Sequence, residues 1–202
     1  MLFSGAAFSA ESPDSISDMD ENNPDAPEID WSKPVVSRGF GLEESQGNAD
    51  KLLLKQYQSG QVFYFFAEYE KAVKKWLPLL EQNFPEAQAS MGWLYQAGLG
   101  VKKDEKLSFE LYTKSAKQNN AIAQNNLGVM YENGITVDIN LDQALYWYQR
   151  SAEQGYRFGQ YNLANILLQT QTSGDSLAQA KILLQQSAVQ GVQQATDKLN
   201  SL

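Results

Sequence analysis

The stretch MGWLY, residues 91–95, decides the fold of this chain because it returns twice further along. It reappears as LGVMY at residues 127–131 and, more loosely, as LANIL at residues 163–167. The interval is 36 residues each time. Self-similarity at a period of about 20 to 50 residues indicates a repeat architecture. The chain from about residue 48 onwards is therefore predicted to be an array of equivalent units.

Each unit is predicted to contain two helices. In the first unit Ala87, Met91 and Tyr95 recur every four residues, which places them on one face of a helix. Gly98 follows this helix and can supply the positive φ that commonly ends one. Asp104 is a suitable N-cap for the second helix. Suitable cap residues stand 36 positions later, so the same helix pair is predicted again.

The second unit carries a recognisable set of spaced residues: Leu127-Gly128, Tyr131, Gly134 and Val137, then Ala144, Trp147, Tyr148, Ala152, Gln154 and Gly155. In this pattern the chain resembles the Sel-one-like repeat (SLR) family, a relative of the tetratricopeptide repeats. The resemblance implies an all-α fold, a right-handed α-solenoid of antiparallel helix pairs. Residues 47–202 would form about three 36-residue repeats, a degenerate leading unit and a terminal helix. The third unit departs from the family pattern at four positions: Ala164, Leu167, Thr170 and Ser173.

The excess of acidic over basic side chains is confined to the segment before the repeats. Residues 11–30 hold eight of the 24 acidic side chains and no basic one, so the rest of the chain balances 16 acids against 16 bases. This segment is also rich in Pro, Ser and Asn and poor in apolar residues. Such a composition buries too little apolar surface to offset the entropy of ordering. We predict an acidic disordered linker over residues 11–46, with an acidic interaction tail as the alternative.

Residues 1–10 are uncharged and mix apolar with small side chains. They resemble the back half of a secretory signal, with Gly5 and Ala7 suited to a cut after Ala7. A signal-peptide remnant would make this a bacterial periplasmic or secreted protein. The alternative is a fortuitous apolar terminus on a cytoplasmic protein.

Composition excludes several kinds of chemistry. The chain has no Cys and no His, which removes disulfides, thiolate nucleophiles, serine–histidine relays and the usual zinc sites. The sequence holds no glycine-rich phosphate loop and no acid cluster with metal-ligand spacing. The net charge of −8 argues against nucleic acid, and no apolar run approaches the ~20 residues of a membrane span. We therefore predict neither an enzyme nor a cofactor-binding protein.

The resemblance implies an adaptor or scaffold that binds a protein or peptide segment. A specific form would be an exported envelope protein that binds and restrains a partner such as a secreted enzyme. The alternative is a structural or regulatory module that acts through self-association or through its own acidic tail. The sequence leaves the oligomeric state open.

The predicted binding surface is the face of the first helices opposite their core stripe. Its candidate residues are Ser90, Trp93, Asn125, Asn126, Val129, Tyr161, Asn162 and Asn165. Asn carboxamides can pair with the backbone of an extended ligand or only with neighbouring groups of their own chain, and both readings stay open. Trp93 is the expected anchor because its equivalents are much smaller. Tyr156 and Phe158 are either exposed anchors or seals of a repeat junction.

Deleting residues 1–46 should leave the helical content and the melting temperature nearly unchanged, because this segment carries no apolar periodicity that could pack on the repeats. Circular dichroism of the full and the shortened chain checks this expectation. A large loss of helicity or of melting temperature would show instead that the segment packs on the solenoid.

Overall fold

The computed structural model describes residues 44–170 and 174–202, with side chains from Asp50 onwards. These ranges form the helices α1 (Glu44–Phe65), α2 (Tyr69–Glu81), α3 (Pro85–Ala97), α4 (Glu105–Lys117), α5 (Ala121–Asn133), α6 (Leu141–Glu153), α7 (Arg157–Thr170), α8 (Gly174–Val189) and α9 (Gln193–Asn200). The proposed signal remnant, most of the acidic segment and residues 171–173 lie outside them. Helix α1 begins within the segment assigned to the linker.

Consecutive helices form antiparallel pairs that stack along the chain. The pairs are α1 with α2, α3 with α4, α5 with α6, and α7 with α8, and each second helix also packs on the first helix of the next pair. Helix α9 closes the series against α8. The described ranges contain no strand. The prediction of an all-α solenoid with three repeats, a leading unit and a terminal helix is confirmed.

The predicted ends of the first helices and starts of the second helices are confirmed in the α3–α4 and α5–α6 pairs. Gly98 and Gly134 end α3 and α5 in the left-handed region, with φ of 71° and 66°. The Asp104 carboxylate accepts a hydrogen bond from the Leu107 amide at 3.0 Å and so caps α4. Asn140 caps α6 in the same manner. In these two pairs the caps fix where the chain turns back from the first helix to the second.

In the first three pairs a glycine on the first helix faces an aromatic ring on the second. A Cβ placed on Gly92 would lie 3.0 Å from the Tyr112 ring, and one on Gly128 would lie 2.7 Å from the Tyr148 ring. Both rings are fully buried. Because only glycine leaves this space, the two helices can approach until the ring fills the gap between them.

A pair of polar contacts also recurs at the 36-residue interval. The hydroxyls of Ser115, Ser151 and Ser187 each donate to a backbone carbonyl at or beside the start of the preceding first helix, every one at 2.7 Å. Three glutamine pairs join the same ends of the helices at 2.6 to 2.9 Å: Gln118 with Gln88, Gln154 with Gln124, and Gln190 with Gln160. These bonds satisfy polar groups that burial would otherwise leave unpaired. The sequence alone did not predict these hydrogen bonds.

The leading pair follows a different register from the others. Residues 66–68 join α1 to α2, whereas residues 98–104 join α3 to α4, so the connection is shorter. Gly60 therefore precedes Gly92 by 32 residues rather than 36, and it faces the Trp76 ring as Gly92 faces Tyr112. The structure shows α2 continuing through Pro78, which lies in its last turn.

Substituting Gly128 by Leu should lower the free energy of unfolding by about 2 kcal/mol or more, because the new side chain would enter the volume of the Tyr148 ring. Chemical denaturation checks the size of the loss. Gly174→Leu is the matched control, since a Cβ there meets nothing within 4 Å and its effect should stay within about 0.5 kcal/mol. Equal stability of the two variants would contradict the packing described here.

Candidate protein-binding groove

The first helices of four successive pairs line one groove. Helices α1, α3, α5 and α7 contribute most of its wall, and its cavity measures about 900 Å³. The regular stacking of the pairs produces this arrangement, because each first helix turns the same face away from its partner. The groove therefore lies on the surface that the sequence analysis selected.

Five of the eight predicted contact residues line this groove: Ser90, Trp93, Asn125, Asn126 and Asn162. Val129, Tyr161 and Asn165 are not among the lining residues and are half-buried. Val129 and Tyr161 instead pack against the hydrophobic core of the later repeats. Of the three equivalent residues Trp93, Val129 and Asn165, only Trp93, which has the largest side chain, lines the groove. Whether these eight residues contact a partner stays a prediction.

The asparagines in the floor of the groove bond with one another. The Asn162 amide donates to the Asn125 side-chain oxygen at 2.9 Å, and the Asn125 amide donates to the Asn126 side-chain oxygen at 3.1 Å. Asn125 is buried, so both of its polar groups are used inside the protein. The Asn162 oxygen takes no part in these two bonds. All three asparagines therefore bond within the protein, and all three also line the cavity, so both readings stay open for Asn126 and Asn162.

Apolar side chains line the groove beside this floor. Trp93 is 43% exposed, Ile122 47% and Phe158 37%. Of the two roles considered for Phe158, exposure in the groove is the one observed. Glu86, Ile122 and Phe158 are equivalent positions, each 36 residues apart, one step after the first residue of α3, α5 and α7. The repeat interval alone would have revealed this row.

Helix α1 supplies an aromatic end to the groove that the sequence analysis missed. Tyr57, Tyr64 and Phe65 line the cavity, and the Tyr57 ring stacks on Trp76 with centroids 5.6 Å apart. The Tyr57 hydroxyl forms a 2.9 Å hydrogen bond with the Ser90 hydroxyl. Burial raises the pKa of Tyr57, so this hydroxyl stays protonated at neutral pH. Because α1 follows the 32-residue register, the 36-residue interval did not locate these side chains.

The electrostatics of the groove are simple. Among the described lining residues, Glu86 alone carries a formal charge. In the part of the chain that the structure describes, no group of three or more Asp and Glu side chains could hold a metal ion. None of the described helices is long and apolar enough to cross a bilayer. The groove offers aromatic surface, carboxamides and one carboxylate, a lining whose chemistry suits a mostly apolar segment.

The repeat pattern matches a known family. A family model of the Sel1 repeat matches residues 85–120 and 121–156. This chain contains two Sel1 repeats. They correspond to α3 with α4 and α5 with α6, and the Sel-one-like resemblance inferred from the sequence is confirmed. Sel1 repeat proteins are generally helical scaffolds for protein–protein interaction and typically have no enzymatic activity.

Several solved structures are similar to this chain, including the following two. A Sel1 repeat protein from Oxalobacter formigenes is 28% identical with a TM-score of 0.65, over 71% of this chain and 57% of the other. The protein c5321, a protective antigen of uropathogenic Escherichia coli strains with an SLR fold, is 28% identical with a TM-score of 0.63, over 78% and 35%. The match therefore spans less than two thirds of either structure. A comparison with curated proteins gave no match.

Proposed function

We propose that this chain is an adaptor that holds an extended segment of a protein partner in the groove. One observation carries the proposal: Trp93, Ile122 and Phe158 are exposed on three successive first helices and face one cavity. Large apolar side chains that remain exposed together commonly mark an interaction surface. A cavity of about 900 Å³ is in the range of ligand-binding sites, about 300 to 1,000 Å³.

The chemistry of the floor favours an extended backbone as the occupant. Asn126 and Asn162 border the cavity, and carboxamides can both donate to and accept from a peptide backbone. Trp93 would supply the aromatic anchor, since it offers a large contact area at little cost in side-chain entropy. The partner segment would run along the stack of repeats and contact α3, α5 and α7 in turn.

Binding by this groove should depend only modestly on salt. Residues 31–202 carry 16 acidic and 16 basic side chains, and the described lining has one charge. Screening by salt weakens long-range attraction between exposed charges and affects apolar contacts little. A steep salt dependence would move the contact to the acidic segment, which is part of the alternative function.

The alternative is a structural module that associates with copies of itself. Ile182 and Val189 stand seven residues apart on one side of α8 and are 55% and 89% exposed. Such a pair on an outer helix favours contact with another apolar surface. In this case the association would not depend on Trp93.

A library of random twelve-residue peptides displayed on phage should yield binders to the full chain, and Trp93→Ala should weaken them by about 1–3 kcal/mol. Fluorescence anisotropy with the synthetic peptides measures the loss. Leu77→Ala is the control, because Leu77 is 50% exposed on α2 and does not line the groove. Equal binding by wild type and Trp93→Ala would reject the groove. A chain that selects no peptide but forms dimers as its concentration rises would support the alternative instead.

We also propose that the chain acts outside the bacterial cytoplasm, in the periplasm or beyond it, where it restrains its partner. The support is the uncharged apolar and small composition of residues 1–10. If the proposal is right, N-terminal sequencing of protein purified from its native cells should begin at Phe8, Glu11 or a nearby residue. Recovery of intact Met1 in a cytoplasmic fraction would contradict it.

A further inference from the structure

Among the described residues that line the groove, Glu86 alone is charged. Glu86 belongs to the first turn of α3, and its equivalents on α5 and α7 are Ile122 and Phe158. An acidic side chain in a first turn is often explained by the helix dipole. Here α5 and α7 form without any acidic residue in the first turn, so the fold does not require one at this position.

One oxygen of the Glu86 carboxylate has no hydrogen-bond partner within the described chain. This oxygen, Oε2, is buried. The ion pairs in the described part of the chain, Lys71 with Glu68 and Lys103 with Glu105, lie elsewhere. The remaining buried side-chain atoms without a partner belong to Ser108, Thr113 and Trp147, none of which lines the groove. Glu86 thus combines an unmet hydrogen-bonding need with a position at the binding surface.

The surroundings of Glu86 suit a cation with an apolar stem. Tyr57 is near enough for the Glu86 charge to contribute to raising its pKa, and Tyr57, Tyr64 and Phe65 line the same cavity. Aromatic faces attract Lys and Arg, and these side chains have long apolar stems that pack on such rings. Trp93 lies on the same side of α3, seven residues and therefore roughly 10 Å along the helix from Glu86.

We infer that Glu86 selects a partner segment that carries a Lys or Arg side chain, which the carboxylate binds at the aromatic end of the groove. This inference rests on the proposed function and adds the chemistry of the occupant. A charge-assisted hydrogen bond in this partly buried position would fix both the register and the chain direction of the bound segment. Asn126 and Asn162, which are uncharged, cannot discriminate a cation in this way.

The repeat geometry sets the spacing of the apolar residues in that segment. Packed helices lie about 8 to 10 Å apart, and an extended chain advances about 3.3 Å per residue. Successive first helices lie at least this far apart, so the groove would meet residues of the ligand that are about three or more positions apart. The basic residue at Glu86 would be followed, in one chain direction or the other, by apolar residues at such intervals for Ile122 and Phe158.

The experiment uses peptides selected from the random library on the full wild-type chain and then synthesised with acetylated N-termini, so that only side-chain cations remain. The selected sequences should be enriched in Lys or Arg flanked by apolar residues. Glu86→Gln should weaken their binding tenfold or more while leaving the helical content unchanged. Replacing the basic residue of the peptide by norleucine should lower its affinity for the wild-type chain by a similar factor. The same replacement should lower its affinity for the Glu86→Gln variant little further.

Asp142→Asn is the matched control, because Asp142 is an exposed acid in the first turn of α6 and does not line the groove. It removes the same charge from an equivalent helix end and should leave affinity unchanged. Equal losses from both variants would overturn the inference in favour of a general charge effect. Selected peptides without basic residues, or equal affinity for wild type and Glu86→Gln, would also overturn it. If Trp93→Ala still weakened those peptides, the proposed function would stand; if it did not, or if no peptide were selected, both would fall.

Discussion

The structure depends on the close contact, in each of the first three pairs, between a glycine of the first helix and an aromatic ring of the second. Gly60, Gly92 and Gly128 face Trp76, Tyr112 and Tyr148 in three successive pairs. This contact sets the separation of the two helices and fixes the rotation of the first helix about its axis. Because each residue turns an α-helix by about 100°, Trp93 stands well to the side of the glycine contact. The same contact that closes the core therefore turns Trp93 towards the groove.

Polar contacts secure the opposite end of each pair. The serine hydroxyls and glutamine pairs recur in α3 with α4, α5 with α6 and α7 with α8, and they hold the end of the second helix to the start of the first. The leading pair has Leu79 where the repeat has serine, and its Trp76 indole donates to the Tyr57 carbonyl at 3.0 Å. The α1 end of the groove is lined by the aromatic side chains of Tyr57, Tyr64 and Phe65.

The sequence was informative wherever the 36-residue interval applied. Helix ends at Gly98 and Asp104, the pairing of helices and the general position of the binding face follow from periodicity and capping, which are local properties. The contribution of α1 could not be predicted, since a shorter connection changes its register to 32 residues. The internal bond from Asn162 to Asn125 depends on how two helices meet, and one sequence does not specify that distance.

The significance of Glu86 could not be predicted from the sequence for a similar reason. A Glu next to Pro85 at a helix start is ordinary, and only the structure shows its oxygen buried beside the groove without a partner. Ile122 and Phe158, in contrast, could have been found by extending the repeat interval to the first turn of each helix. The periodic part of the site was accessible from the sequence, whereas its one irregular, charged position was not.

The central claim is that the first helices, not the second, carry the binding surface. The indole N–H signals of Trp93, on α3, and Trp147, on α6, report on the two sets of helices in one nitrogen-edited NMR spectrum of the full chain. The signals are assigned with Trp93→Phe and Trp147→Phe variants, and a selected peptide is then titrated. We predict that the Trp93 indole signal shifts with peptide concentration while the Trp147 signal stays in place. Movement of the Trp147 signal with an unchanged Trp93 signal would contradict the account.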